Sequence, residues 1–163
     1  MILQKMYYHF IALVLKLFYK IVYMKQLNIG EGTTFRSAFK IMISNNGRID
    51  IGDNCFFNHY CSISARNHIT VGSDTIMGEN VKIMDHNHRF RDANVVLRNQ
   101  GFSDGKVSIG SNTWIGSNVV ILKGARIGNH CVIGAGCVID FEVPDNKIVK
   151  MDRQYRLIQI EDI

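Results

Sequence analysis

The chain has 163 residues, 47% of them apolar and 20% charged, the proportions of one folded domain rather than of a disordered segment. Its net charge of +5 is concentrated, because Lys5, Lys16, Lys20 and Lys25 stand in the first 25 residues with no Asp or Glu among them. The remaining body is nearly neutral and has no basic stripe with interleaved aromatics, which argues against a nucleic-acid groove.

The first predicted element is an amphipathic helix over residues 1–25. From Ile2 to Met24, Lys5, His9, Lys16 and Lys20 fall on one side of a helical wheel, and Leu, Ile, Val, Phe and Tyr cover the wide remaining arc. Two placements are open: the helix packs on the flank of the body or on a neighbouring subunit, or it makes peripheral contact with an anionic membrane surface. The interruptions at His9, Lys16 and Lys20, with no small-residue cleavage site, argue against a signal peptide or a spanning helix. The expected location is the cytoplasm, either free or at the inner face of the membrane.

Residues 26–145 carry an internal repeat. A bulky apolar residue returns every six positions at Ile29, Phe35 and Ile41, at Ile51, Phe57 and Ile63, at Val71, Met77 and Ile83, and from Ile109 through Ile115, Ile121, Ile127 and Ile133 to Ile139. Helices do not repeat every six residues. Three positions after the apolar residue come Gly32, Asn54, Asp74, Asn80, Asn112, Asn118, Gly124 and Gly136, the residue types that tolerate positive φ at a corner. Four positions after it come small or β-branched side chains, including all four cysteines, Cys55, Cys61, Cys131 and Cys137. With no Cys-x-x-Cys and no paired Cys/His spacing, these read as core fillers with free thiols in a reducing compartment. Short strands joined by corners at this spacing predict an all-β, three-sided parallel β-helix whose isoleucines stack in columns.

The period breaks once. Residues 84–108 form a polar loop that holds Asp85, His86, His88, Arg89, Arg91, Asp92 and Arg98. A loop this long leaving a rigid coil is expected to be functional and to reach a neighbouring copy. After the last hexad, residues 146–163 are expected to be a C-terminal tail.

The run from Ile109 to Ile139, with Trp114-Ile115-Gly116-Ser117 and Ile133-Gly134-Ala135-Gly136, together with the loop opening Asp85-His86-Asn87-His88-Arg89, resembles the hexapeptide-repeat O-acetyltransferases. It is similar to the galactoside, maltose and polysaccharide acetyltransferases. The resemblance implies a left-handed β-helix, a homotrimer with its active site between prisms, acetyl-CoA (coenzyme A) as co-substrate, no metal, and transfer of an acetyl group to a saccharide hydroxyl. It places the general base on His88, with His86 as the alternative. It further places the Ser117 amide at the oxyanion, the Ala135 backbone at the pantetheine arm, and Asn58 and Trp114 at the acceptor.

Two departures from the family pattern stand out. Arg66 occupies the place of an acidic acceptor-binding residue, which would favour an acidic glycan. The Gly-x-Pro-Ala-type segment after Pro144 is missing, leaving Lys147, Lys150, Arg153 and Arg156 as candidate partners of the cofactor phosphates. A catalytically silent scaffold or glycan-binding protein is the competing reading. A zinc hydratase built on the same fold would need three converging histidines, and His59, His68, His86, His88 and His130 do not have that spacing.

Overall fold

Six-residue spacing lets every large apolar side chain point inward if the chain turns a corner after each short strand, and the computed structural model has that arrangement. It describes residues 2–44 and 46–152, with side chains from residue 6 onward. Three parallel sheets form the faces of a triangular coil. The first face stacks Leu27–Ile29, Arg48–Ile51, His68–Val71, Lys106–Ile109, Arg126–Ile127 and Glu142–Val143. The second stacks Thr34–Phe35, Phe56–Phe57, Ile76–Met77, Trp114–Ile115, Val132–Ile133 and Ile148–Val149. The third stacks Lys40–Ile43, Ser62–Ala65, Lys82–Met84, Val120–Ile121 and Val138–Ile139.

Register makes the columns. On the third face Ile41, Ile63, Ile83, Ile121 and Ile139 lie one above another, each buried. Each fully buried isoleucine contributes about 1.5–3 kcal/mol, so the core is a sum of repeated small gains. The corners behave as their composition predicts. Asn54, Asp74, Asn80, Asn112 and Asn118 have φ between 52° and 59°, the left-handed region that Asn and Asp tolerate. Ala38, Tyr60 and His130 occupy the same slot, with φ of 60°, 63° and 53°, so the coil imposes this conformation even where the side chain does not favour it. The cysteines are buried free thiols, and Cys55, Cys61 and Cys131 pack against corner carbonyls, as with Cys55 Sγ 3.1 Å from the Gly72 oxygen. Burial pushes the Cys55 and Cys61 thiols above their ordinary pKa, which suits packing rather than thiolate chemistry.

Ile2–Tyr23 is an α-helix, continued by a 3₁₀ turn over Met24–Gln26. It closes the open end of the first coil. The Tyr19 hydroxyl donates to the Phe39 carbonyl at 3.2 Å and accepts from the Ile41 N–H at 3.3 Å, while the Tyr23 hydroxyl donates to the Ile41 carbonyl at 3.2 Å. These groups lie on the outward edge of an end strand, where a sheet otherwise exposes its backbone. Of the two placements the sequence allows, packing on the coil accounts for this face of the helix. By length and composition alone Met6–Gln26 is also apolar enough to cross a bilayer.

Two boundaries shift. The polar loop leaves the coil after Met84 and rejoins it at Lys106, narrower than the expected 84–108. Its base is not irregular: His86–His88 pairs antiparallel with Phe102–Asp104. The coil also continues past residue 145, because Ile148–Val149 pairs with Val132–Ile133. The tail expected from 146 therefore begins inside the last coil.

Candidate active site

The hairpin that carries the two loop histidines is fixed by one carboxylate. On the third face the residue two positions after the column isoleucine points inward as Ile43 and Ala65; in the next coil that slot holds Asp85, which is fully buried. A buried charge persists only when its lone pairs are filled. Asp85 accepts from the Arg66 N–H at 2.9 Å, the Asn67 N–H at 2.8 Å and His86 Nδ1 at 3.0 Å. With Nδ1 on the carboxylate, His86 keeps Nε2 as its remaining nitrogen.

Side chains alternate along the hairpin, so His86 and His88 share a side and both meet Phe102. The His88 ring centroid lies 4.3 Å from that of Phe102, and the His86 centroid 5.4 Å. Their exposure differs: His86 is largely covered, whereas His88 is exposed. His88 lines an open cleft of about 650 Å³ with Arg89, Arg91, Asp92, Gln100 and Lys123. The geometry therefore gives the two histidines different work, one anchored and the other presented to solvent.

Arg66 sits in the same cluster, but its guanidinium is engaged within the protein. Its Nε lies 3.1 Å from Asp104 Oδ1, and its guanidinium carbon is 4.0 Å from the Phe102 ring centroid. This pairing fastens the hairpin to the preceding coil, so the structure supplies Arg66 with a local partner in place of the expected acidic acceptor.

A second group of expected site residues stands elsewhere, at the corner between the second and third faces. Asn58, Ser117, Ala135 and Lys150 follow the second-face strands of successive coils, and Trp114 projects from that face with 54% of its surface exposed. At this corner a coil's N–H can be taken by a side chain of the next coil, as the Glu79 N–H is by Ser117 Oγ at 3.2 Å. For Ser117 the residue one coil on is Ala135, which has no acceptor. The Ser117 N–H consequently donates to no group among the described residues. A Cβ at Gly78 would stand 2.6 Å from Ser117 N, so glycine there allows the coils to approach this closely. Asn58 Oδ1 accepts from the adjacent His59 N–H at 2.9 Å, a local corner bond that leaves its amide nitrogen for other partners. Lys150 is exposed; Arg153 and Arg156 lie outside the described residues.

The structure thus divides the expected residues between two corners, His86, His88 and Arg66 at one and Asn58, Ser117, Ala135 and Lys150 at the other. Of the residues that hold the first group together, Phe102 and Asp104 are not named by sequence reasoning, and Asp85 is named only as part of the loop, without a role. For Asp85 the signal was present: a carboxylate in an inward slot that two earlier coils fill with apolar side chains. No group of three or more His, Cys, Asp or Glu stands together as a metal site among the described residues.

Comparison with known proteins agrees with the fold. Residues 106–140 match the family described as bacterial transferase hexapeptide (six repeats). The chain is 32% identical over 130 residues to WbbJ of Escherichia coli K12, named for O-acetyl transfer in lipopolysaccharide biosynthesis, covering 76% of this chain and 66% of that one. It is 31% identical over 108 residues to the galactoside O-acetyltransferase of the same organism, covering 66% of this chain but only 52% of that protein. Among solved structures, the maltose O-acetyltransferase of Clostridium difficile 630 superposes with a TM-score of 0.65 at 30% identity, over 79% of this chain and 67% of that one. A hexapeptide-repeat acetyltransferase of Vibrio cholerae, crystallised with acetyl coenzyme A, gives a TM-score of 0.65 at 25% identity, over 74% of this chain and 64% of that one.

Proposed function

We propose that this chain, which belongs to the bacterial hexapeptide-repeat transferases, is an acetyl-CoA-dependent O-acetyltransferase acting on a saccharide hydroxyl. The observation that carries the reading is the division of labour at the hairpin: one imidazole is locked on a buried carboxylate, and the other opens onto a cleft. A general base must reach the proton it removes, and His88 is the exposed one. His88 takes the proton from the acceptor hydroxyl as its oxygen becomes nucleophilic. His86, held by Asp85, braces Phe102 and with it the His88 ring.

The second corner fits the acyl donor. Acetyl-CoA supplies an activated thioester, and the residues present suit it because the Ser117 N–H has no internal acceptor and the Ala135 position carries no side chain that would cover it. The Ser117 N–H stabilises the oxygen that gains negative charge, the role of an oxyanion donor. Ala135 and Lys150 would hold the rest of the coenzyme along the same column, and Trp114 and Asn58 flank the acceptor.

A site using both groups is built across subunits. His88 and Ser117 of one protomer stand at opposite edges of the third face, and the hairpin tip presents Phe90, Val96 and Leu97 to solvent, at 70%, 67% and 59% exposure. Apolar side chains on a protruding loop are suited to a neighbouring prism, which supports a homotrimer. Four buried, unpaired thiols support a reducing compartment, the cytoplasm. The acceptor class follows the relatives, named for maltose, galactoside and lipopolysaccharide acetylation. The test is release of free coenzyme A thiol from acetyl-CoA against a panel of neutral and acidic sugars and nucleotide sugars. Acceptor-dependent release with O-acetylated product is expected. A protein that binds a glycan and releases no thiol with any acceptor would return the chain to the scaffold reading.

A further inference from the structure

The N-terminal helix turns two different faces outward and inward. At about 100° per residue, Ala12, Tyr19 and Tyr23 fall on one side, which packs against the first coil. Phe10, Leu13, Leu17 and Ile21 fall on the opposite side and are 63%, 65%, 63% and 67% exposed. Tyr7 and Phe18 widen this arc, also largely exposed. Because the helix spans the end of the coil, the arc faces away from the β-helix. Lys16 and Lys20 line one margin of it, Lys25 follows in the 3₁₀ turn, and Glu31 is the first acidic residue in the chain.

We propose that this face lies in the surface of an anionic lipid bilayer, with the apolar arc among the acyl chains and the lysines at the level of the phosphates. Charge decides between occupants. A second copy of the chain would bring the same apolar face rimmed by the same lysines, with no carboxylate in the helix to meet them, whereas an anionic surface supplies the missing charge. The helix lies in the surface and does not cross it, because its reverse side is committed: Tyr19 and Tyr23 satisfy backbone groups of the end strand, and pulling the helix through a bilayer would expose them. The inference is independent of the acetyltransferase reading. It orients the coil end-on to the membrane, with the hairpin and its histidines along a side at the third coil rather than buried beneath it.

The experiment is co-sedimentation of the full chain with phosphatidylcholine vesicles, with and without phosphatidylglycerol. Binding to the mixed vesicles is expected to exceed binding to phosphatidylcholine alone by about tenfold or more, and to weaken with salt. The pair Leu13→Glu and Leu17→Glu, on exposed positions, is expected to abolish binding with the thermal midpoint unchanged. The pair Lys16→Gln and Lys20→Gln is expected to lower binding to mixed vesicles by about tenfold. The proposal is overturned if the protein stays in the supernatant with both lipids, if binding ignores these substitutions, or if the Leu13/Leu17 pair splits a larger oligomer and leaves vesicle binding as it was.

Discussion

The Asp85 carboxylate and the His86 imidazole are joined at 3.0 Å, Oδ1 to Nδ1, with the carboxylate wholly buried and the ring mostly covered. The same carboxylate ties down the Arg66 and Asn67 amides of the coil below. A single side chain thereby fixes the point at which the excursion leaves the β-helix, and with it the direction in which His88 points.

Asp85→Ala leaves two part-buried backbone N–H groups without an acceptor and releases the ring. A loss of roughly 2–5 kcal/mol in unfolding free energy is expected from denaturant titration. Asp85→Asn, which keeps one acceptor oxygen, is expected to lose less. If both variants unfold at the wild-type midpoint, the carboxylate does not carry the hairpin.

Ala135→Ser tests the oxyanion donor without touching the donor residue. Serine is the residue type whose hydroxyl takes the N–H of the preceding coil at Ser117 and Ser73, so at position 135 it is expected to capture the Ser117 amide. Turnover is expected to fall by about 10²-fold, the usual effect of losing one such donor, with little change in stability. Unchanged kcat would remove the Ser117 amide from the reaction.

Ile121 and Trp114 separate core from surface. Ile121→Ala opens a cavity in the third-face column, where the side chain is fully buried, and is expected to cost about 2–5 kcal/mol. Trp114→Ala removes a half-exposed ring and is expected to change stability by no more than about 0.5 kcal/mol while raising KM for the acceptor. A large stability loss at Trp114 would make it a packing residue.

Asp50 gives the fold a small acid-dependent increment. The hydrogen bond from Arg48 at 2.7 Å, with the contact to His68 Nε2 at 2.7 Å, holds its carboxyl below the usual range. A depressed folded-state pKa contributes stability above the unfolded value, about 3.9, and that contribution is lost as pH falls further. Asp50→Asn is therefore expected to lower stability slightly at neutral pH, by under about 1 kcal/mol for so exposed a group. The difference from wild type should vanish in acid; one that grows in acid would contradict the assignment.

The coil itself was legible because its cause is periodic. The isoleucine step from Ile109 to Ile139 and the Asn and Asp corner slots each repeat a local requirement, and every one of those corners has positive φ in the structure. The hairpin was not legible, because its cause lies in pairs distant in sequence: Arg66 with Asp104 and Arg66 over Phe102 join residues 38 and 36 positions apart, outside any repeat. Histidine chemistry in the loop was visible from residue types and the resemblance. Which imidazole is anchored and which is free depended on the burial of Asp85, and only the folded chain shows that.

In the proposed mechanism His88 acts as the base and His86 supports it. Its most direct test is single-turnover acetyl transfer by His88→Ala and His86→Ala, each checked for wild-type assembly and thermal midpoint. A loss of about 10²–10⁴ in the chemical step is expected for His88→Ala, and a smaller loss for His86→Ala. Full activity in His88→Ala, with the larger loss at His86, would contradict it and move the proton transfer to the imidazole held by Asp85.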